Sequence, residues 1–420
     1  VSAGTANEGL TEGNSSVASS DTAADMKSVI VPSQSAEDAI DRIIGWAAKK
    51  CSFIGANKPF YSTPIAFYET QNYYLILYWP HSPECPCNMQ QMRVDKRNGD
   101  IAYFDLDGRA KGIMYTSDVY NGQAYISSVW QTDYYSKSDE LYFGCEEGLL
   151  KVSLDTMQYE RIDFQAQNRA DDYEISGCGN KIVLVYNGNH NKIYVYDIDT
   201  KNAIRLAWNE EIPAIHVYAC AEKEGVYVLA QNVVGSEVVL FSYDGELISS
   251  ICKLQNKYDN IYHVESGTNF YLGAVGVHSI TKERVVKLML QNGAREETEL
   301  DIMTDNGVYS NAVVKSYADS LMYVAKDGAI KMAEYRSGIT REIAEGATYL
   351  LLEEHKHLFK KEYEPHKIVE DFLRVGQYIY FYQSENGGVT EGLLVKASIS
   401  TSGSVQAVRL YDSLEEAGLA

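Results

Sequence analysis

The sequence predicts an all-β protein, a seven-bladed β-propeller with an N-terminal polar tail and one short α-helix. Three observations predict it. A hairpin of two alternating strands around a polar turn recurs at 91–104, 150–164, 193–206, 239–251, 285–300, 330–343 and 394–410. Each hairpin follows a more evenly apolar run, at 73–79, 140–145, 181–186, 225–230, 269–275, 320–325 and 377–382. A further strand-like segment precedes most of these, as at 173–176, 215–220, 261–265, 312–317 and 369–375.

Four strands per unit, repeating at roughly 40–60 residues, is the pattern of propeller blades. A lone four-stranded sheet leaves two apolar faces in water. Radial stacking buries both and leaves only short edges. The apolar runs lack alternation because a strand covered on both faces has no polar side to show. Asn98-Gly99, Asp244-Gly245, Asn292-Gly293 and Ser337-Gly338 supply hairpin turns, since Gly and Asn tolerate positive φ. Six or eight blades also fit, because 106–139 carries extra strand-like sequence.

Before the repeats the chain divides further. Residues 1–34 form a polar tail and arm, 35–59 a helix and linker, 60–412 the propeller, and 413–420 a short tail. Within the arm, Ser28-Val29-Ile30-Val31-Pro32 reads as a strand. Val29, Ile30 and Val31 are expected to pair with the sheet edge of a neighbouring copy, as an assembly arm. The helix is expected from about Ala36 to Lys50. Ser35 caps it, with Asp38 at the third helical position, and Ala36, Ala39, Ile40, Ile43, Ile44 and Ala47 share one face.

Charge narrows the partners. The 37 basic and 58 acidic residues leave a net charge of -21. Nucleic acid and anionic lipid both require a cationic surface, so neither is expected. No run approaches the ~20 apolar residues of a membrane helix. Residues 1–25 are rich in Ser, Thr, Gly, Ala and Asn, like the tether that follows a removed export signal. An extracellular or cell-surface location is therefore expected, with Asn14 in a glycosylation sequon. The seven cysteines match no disulfide framework, and several fall in strand segments as small buried hydrophobes.

The stretch Tyr194-Val195-Tyr196-Asp197-Ile198-Asp199-Thr200 resembles a strand-turn hallmark of bacterial propellers. Tail and Tyr-rich blades together resemble propeller lipoproteins exported by Gram-positive bacteria, over about 350 residues of the chain. Trp-Asp repeat dipeptides and sialidase-type Asp boxes are absent from the sequence.

Candidate chemistry lies outside the repeat. His81, Cys85 and Cys87 put three soft donors in one loop, a potential zinc or copper set. The insertion at 346–367 holds His355 and His357, which would share one face of a strand. Asp105-Leu106-Asp107-Gly108 and Asp197-Ile198-Asp199 lack the ligand ladder of a calcium loop and read as turn formers. No nucleophile elbow, P-loop or dinucleotide fingerprint occurs, so no cofactor is expected. The expectation is therefore a chain that binds rather than catalyses. Its 33 tyrosines suit both strands and contact surfaces. Trp130, Tyr134 and Tyr135 are candidate contacts for a glycan, a peptide or a surface protein. A subunit of an extracellular assembly is the second reading and a glycan-active enzyme the third.

Overall fold

The computed structural model describes residues 28–50, 65–78, 90–104, 119–120, 123–124, 134–145, 148–164, 172–187, 192–206, 216–256, 258, 260–265, 267–274, 284–291, 294–302, 314–326, 329–344, 372–384, 392–401 and 404–419. The chain begins with β1 (Ser28–Val31) and α1 (Ala36–Lys50). Blade 1 follows as β2 (Ile65–Glu69), β3 (Tyr73–Tyr78), β4 (Gln90–Asp95) and β5 (Ile101–Phe104). The two-residue strands β6 (Val119–Tyr120) and β7 (Gln123–Ala124) pair with each other. Of the segment 106–139 that carried extra strand-like sequence, these four residues are the ones described before blade 2. Blade 2 is β8 (Tyr134–Lys137), β9 (Glu140–Cys145), β10 (Gly148–Ser153) and β11 (Gln158–Asp163).

Blade 3 comprises β12 (Asp172–Cys178), β13 (Lys181–Asn187), β14 (Lys192–Asp197) and β15 (Asn202–Arg205). Blade 4 comprises β16 (His216–Glu222), β17 (Gly225–Gln231), β18 (Ser236–Phe241) and β19 (Leu247–Leu254). Blade 5 is β20 (Asn260–Glu265), β21 (Asn269–Ala274), β22 (Arg284–Gln291) and β23 (Ala294–Glu299). Blade 6 is β24 (Val314–Ser316), β25 (Ser320–Val324), β26 (Ile330–Glu334) and β27 (Thr340–Ala344). Blade 7 is β28 (Leu373–Val375), β29 (Tyr378–Ser384), β30 (Gly392–Ser398) and β31 (Val405–Ala407). The count is seven, and within the four strands of each blade every neighbour pair is antiparallel and consecutive in sequence.

The second strands explain their composition. β17 and β25 are buried along their whole length, which is why they read as unbroken apolar runs. The fourth strands form the outer rim, with β15 and β31 exposed throughout. First strands of neighbouring blades meet near the axis, as β12 does with β16 and β16 with β20. Serines stitch these inner edges. Ser176 Oγ donates to Ala219 O at 3.2 Å and accepts from the Ala221 N–H at 3.1 Å. Hairpin glycines adopt the positive φ the sequence called for, +81° at Gly99 and +91° at Gly245.

Among the described residues, no blade mixes strands from the two chain ends. A latch on the seam between blades 1 and 7 takes that role. The apolar face of α1 (Ala39, Ile40, Ile43, Ile44) shares one core with Phe67 and Ile76 of blade 1, Val375 and Leu394 of blade 7, and Leu419. Lys396, only 5% exposed, bonds Glu37 and Asp41 of α1, and Tyr380 Oη donates to Asp41 at 2.9 Å. The C-terminal segment closes over the helix. A Cβ on Gly45 would stand 2.0 Å from Arg409 O, so only glycine allows that approach.

β1 adds a fifth strand to blade 1, pairing antiparallel with β5 from Ser28↔Phe104 to Val31↔Ile101. The sequence had placed Val29, Ile30 and Val31 on a neighbouring copy. In the structure their partner is the chain's own blade, so the arm is already used as a β-strand within one chain. The linker to α1 fixes this arrangement, with Ser33 Oγ bonded to Asp38 at 2.8 Å and Ser35 packed against Gly99.

Candidate functional site

Within each blade the turn between first and second strands lies on one face of the ring. Among the described turns, that between third and fourth strands lies on the same face, and that between second and third strands lies opposite. Among the described residues, the first-turn face gathers several charged and aromatic side chains. In blades 1, 4 and 5 the last residue of the first strand is a glutamate: Glu69, Glu222 and Glu265.

Glu69 is neutralised in place. Lys96 Nζ stands 2.6 Å from its Oε1 and lies over the Tyr74 ring at 4.4 Å. Asp319, in the first turn of blade 6, receives Arg374 bidentately at 2.7 and 3.0 Å. The Arg374 guanidinium also covers the Tyr317 ring at 4.8 Å.

Glu222 and Glu265 are arranged differently. Between them stands His263, lifted out of simple alternation by a β-bulge at Tyr262 where β20 pairs with β21. Its Nδ1 is 3.6 Å from Glu222 Oε1 and its Nε2 is 3.3 Å from Glu265 Oε2. One face of the imidazole is covered by Tyr335, stacked at 4.0 Å with 12° between the rings. Ser316 Oγ, 2.7 Å from Tyr335 Oη, also donates to Tyr262 O at 3.3 Å, tying blade 6 to blade 5. Tyr243 Oη donates to Glu222 O at 2.6 Å and anchors the end of β16. Side-chain exposures of 18% for His263, 19% for Glu222 and 30% for Glu265 keep the cluster within reach of solvent.

The electrostatics follow from burial and like charge. Burial, then Glu224 and Glu265, push the Glu222 carboxyl up to about 7. Burial lowers the His263 imidazole against the opposing pull of Glu265, so the ring is neutral at neutral pH. Among the described residues, Glu222 pairs with His263 and with no lysine or arginine. A neutral imidazole between two carboxyl groups, one titrating near neutrality, can take a proton from one side and return it to the other. It can equally present negative charge to a cation. Cys220 Sγ lies 3.9 Å from Glu222 Oε1, and its burial raises the thiol far out of the reactive range. Cys178 packs in the interface between blades 3 and 4 and Cys220 in that between blades 4 and 5, and both are free thiols.

The contacts expected from sequence are placed otherwise. Tyr134 Oη accepts the Glu69 N–H at 3.2 Å, and its ring meets Tyr68 edge-on at 5.2 Å. Burial pushes its phenol up to about 12. Tyr135 Oη donates to Gly179 O at 2.9 Å. Both tyrosines thus join neighbouring blades. Asp197 Oδ1 accepts the N–H groups of Asp199 and Thr200 at 2.9 and 3.0 Å, the work of a turn former. Trp130, His81, Cys85, Cys87, His355, His357 and Asn14 lie outside the described residues. Among the described residues no group of three His, Cys, Asp or Glu side chains is arranged to hold a metal ion.

Sequence reasoning missed Glu222, His263 and Glu265. One signal was present: aligned by blade, a glutamate recurs at the end of the first strand. The bulge that turns His263 between them has no such mark.

Comparison with known proteins sets the fold in context. No protein-family model matches the chain, and no curated protein matches it. Solved structures do. A prolyl endopeptidase structure matches at TM-score 0.47 and 10% identity, over 90% of this chain and 52% of that one. The β-propeller domain of the Trilobed protease from Pyrococcus furiosus matches at 0.43 and 8%, over 83% and 99%. Apo AztD from Citrobacter koseri matches at 0.41 and 11%, over 83% and 84%. This chain is a seven-bladed β-propeller. At these identities the likeness is one of fold. The expectation of a chain that does not catalyse is corrected here: peptidase structures stand among those that match. Among the described residues no helix is long and apolar enough to cross a membrane.

Proposed function

We propose that the chain is an exported binding module that uses its first-turn face to receive a peptide segment or a surface protein. One observation carries this reading. On that face the Glu222–His263–Glu265 cluster is partly exposed, lies across the inner edges of blades 4 and 5, and pairs Glu222 with no cation of the described chain. A few convergent polar groups within reach of solvent are what fix the orientation of a bound ligand. The net charge of -21 favours a basic partner and speeds its approach. The polar composition of 1–25 and the sequon at Asn14 support an extracellular or cell-surface setting.

The test is peptide selection from a random library on the immobilised protein, followed by photo-cross-linking. Cross-linkers are placed at Glu224 on the first-turn face and at Val234, 84% exposed, on the opposite face. Capture from position 224 supports the reading. Capture from 234 alone, or no selected binder, overturns it.

A further inference from the structure

The spacing of the groups around His263 points to a particular ligand. The two carboxylates address the two nitrogens of one imidazole, from opposite edges of the ring. The terminal nitrogens of a guanidinium are separated by nearly the same distance as those two ring nitrogens. A guanidinium laid against the exposed part of the imidazole would therefore direct its N–H groups at the same two carboxylates. Its flat, weakly hydrated plane suits stacking, whereas an ammonium is a compact point charge that stacks poorly.

Two further observations support this. Tyr271 is fully buried and stands in register with His263, so it rises from the same side of blade 5. Its ring meets Tyr335 edge-on at 4.9 Å, and its hydroxyl has no hydrogen-bond partner. Glu265 lies close enough to raise that phenol, although burial is the larger cause. The orphaned hydroxyl therefore belongs to the wall of the same cluster, where a buried polar atom left without a partner is costly. The second observation is internal. On the same face Arg374 already sits over an aromatic ring with its fork on Asp319.

We propose that Glu222, His263, Glu265 and Tyr271 form a subsite for the guanidinium of an arginine side chain in a peptide or protein partner. The proposal rests on the reading of the first-turn face as the binding face, and adds the chemistry it selects. Glu222 and Glu265 accept the N–H groups, His263 provides the stacking surface backed by Tyr335, and the Tyr271 hydroxyl accepts a further bond.

The probes are N-acetyl-arginine amide, N-acetyl-lysine amide and the neutral N-acetyl-citrulline amide, titrated calorimetrically into the full chain at pH 8. The arginine amide is expected to bind at least fivefold more tightly than the lysine amide, and the citrulline amide not at all. Glu222→Gln and Glu265→Gln should each weaken arginine binding at least fivefold. Glu296→Gln, on the exposed fourth strand of blade 5, should leave it unchanged. Tyr271→Phe deletes only the unpartnered hydroxyl and should weaken binding at least twofold with the fold intact. Equal affinity for arginine and lysine overturns the proposal, as does binding untouched by both Gln variants and by Tyr271→Phe, or no saturable binding. Peptides captured at position 224 without any arginine preference would sink the subsite and leave the binding face standing.

Discussion

The imidazole of His263 lies flat on the phenol ring of Tyr335, 4.0 Å between centroids, although the two residues belong to different blades. Tyr335 is 3% exposed and bonded to Ser316, so it forms a rigid back wall for the histidine. Tyr335→Phe keeps the stack and removes the hydroxyl, and is expected to cost about 0.5–1.5 kcal/mol of stability. Tyr335→Ala removes the wall and opens a cavity, at about 3–5 kcal/mol. Urea unfolding measures both. In the Ala variant the His263 imidazole becomes better solvated, so its titration, followed by NMR, should move back up toward the ordinary histidine range.

Glu222 gives a signed pH dependence. Its carboxyl is raised to about 7 in the folded chain and returns to the ordinary range on unfolding. The folded state therefore holds the proton more tightly, and stability from this group is lost as pH rises from about 4.5 toward 7. Glu222→Gln removes the charge that burial penalises. It should raise stability at pH 8 by about 1–3 kcal/mol and leave it nearly unchanged at pH 4. Thermal unfolding across that range checks it, and a variant no more stable at pH 8 would refute the account.

The seam between blades 1 and 7 depends on Lys396. Its bond to Glu37 holds that carboxyl below its ordinary value, and bonds to Asp41 and Glu37 hold the lysine charged despite burial. Lys396→Met leaves both acids facing an apolar wall, and should cost about 2–4 kcal/mol near neutral pH. The contribution of Glu37 is present above the ordinary carboxylate range and disappears as pH falls through its lowered value. The difference between wild type and variant should accordingly shrink in acid. Hydrogen exchange in the variant should rise first in α1 and blade 7.

Ser138 occupies the left-handed region at φ 54°, in the first turn of blade 2 where blade 3 uses Gly179 at φ 63°. A residue with a Cβ is strained there. Ser138→Gly relieves that strain at an exposed position, and a gain of about 0.5–1 kcal/mol is expected in denaturant unfolding.

The propeller was legible because its signals are local. Each outer hairpin announces itself by alternation, most of them also by a turn glycine, and each second strand by an unbroken apolar run such as 225–230. α1 was equally plain, since the cap at Ser35 and the stripe from Ala36 to Ile44 sit within one helix length. What could not be read was anything decided between blades. Tyr134 and Tyr135 look like contact residues in a tyrosine-rich segment, but they spend their hydroxyls on Glu69 and Gly179, 65 and 44 residues away. The β1 partner was misplaced for the same reason: a strand signature says that pairing will occur and not with which edge. His263 acquires its neighbours from blades 4 and 6 through a bulge that no turn residue marks.

The four ring strands of each blade come from one stretch of sequence, and among the described residues the seam is covered by a helix and not by a strand borrowed across the ends. Inheritance can therefore act on whole blades. Duplicating or deleting one four-strand stretch among blades 2 to 7 would change the ring by one complete unit without severing a hydrogen-bonded ladder of the described residues. The residues that greet α1 on the last blade, Tyr378, Tyr380 and Lys396, would travel with it as a portable docking code.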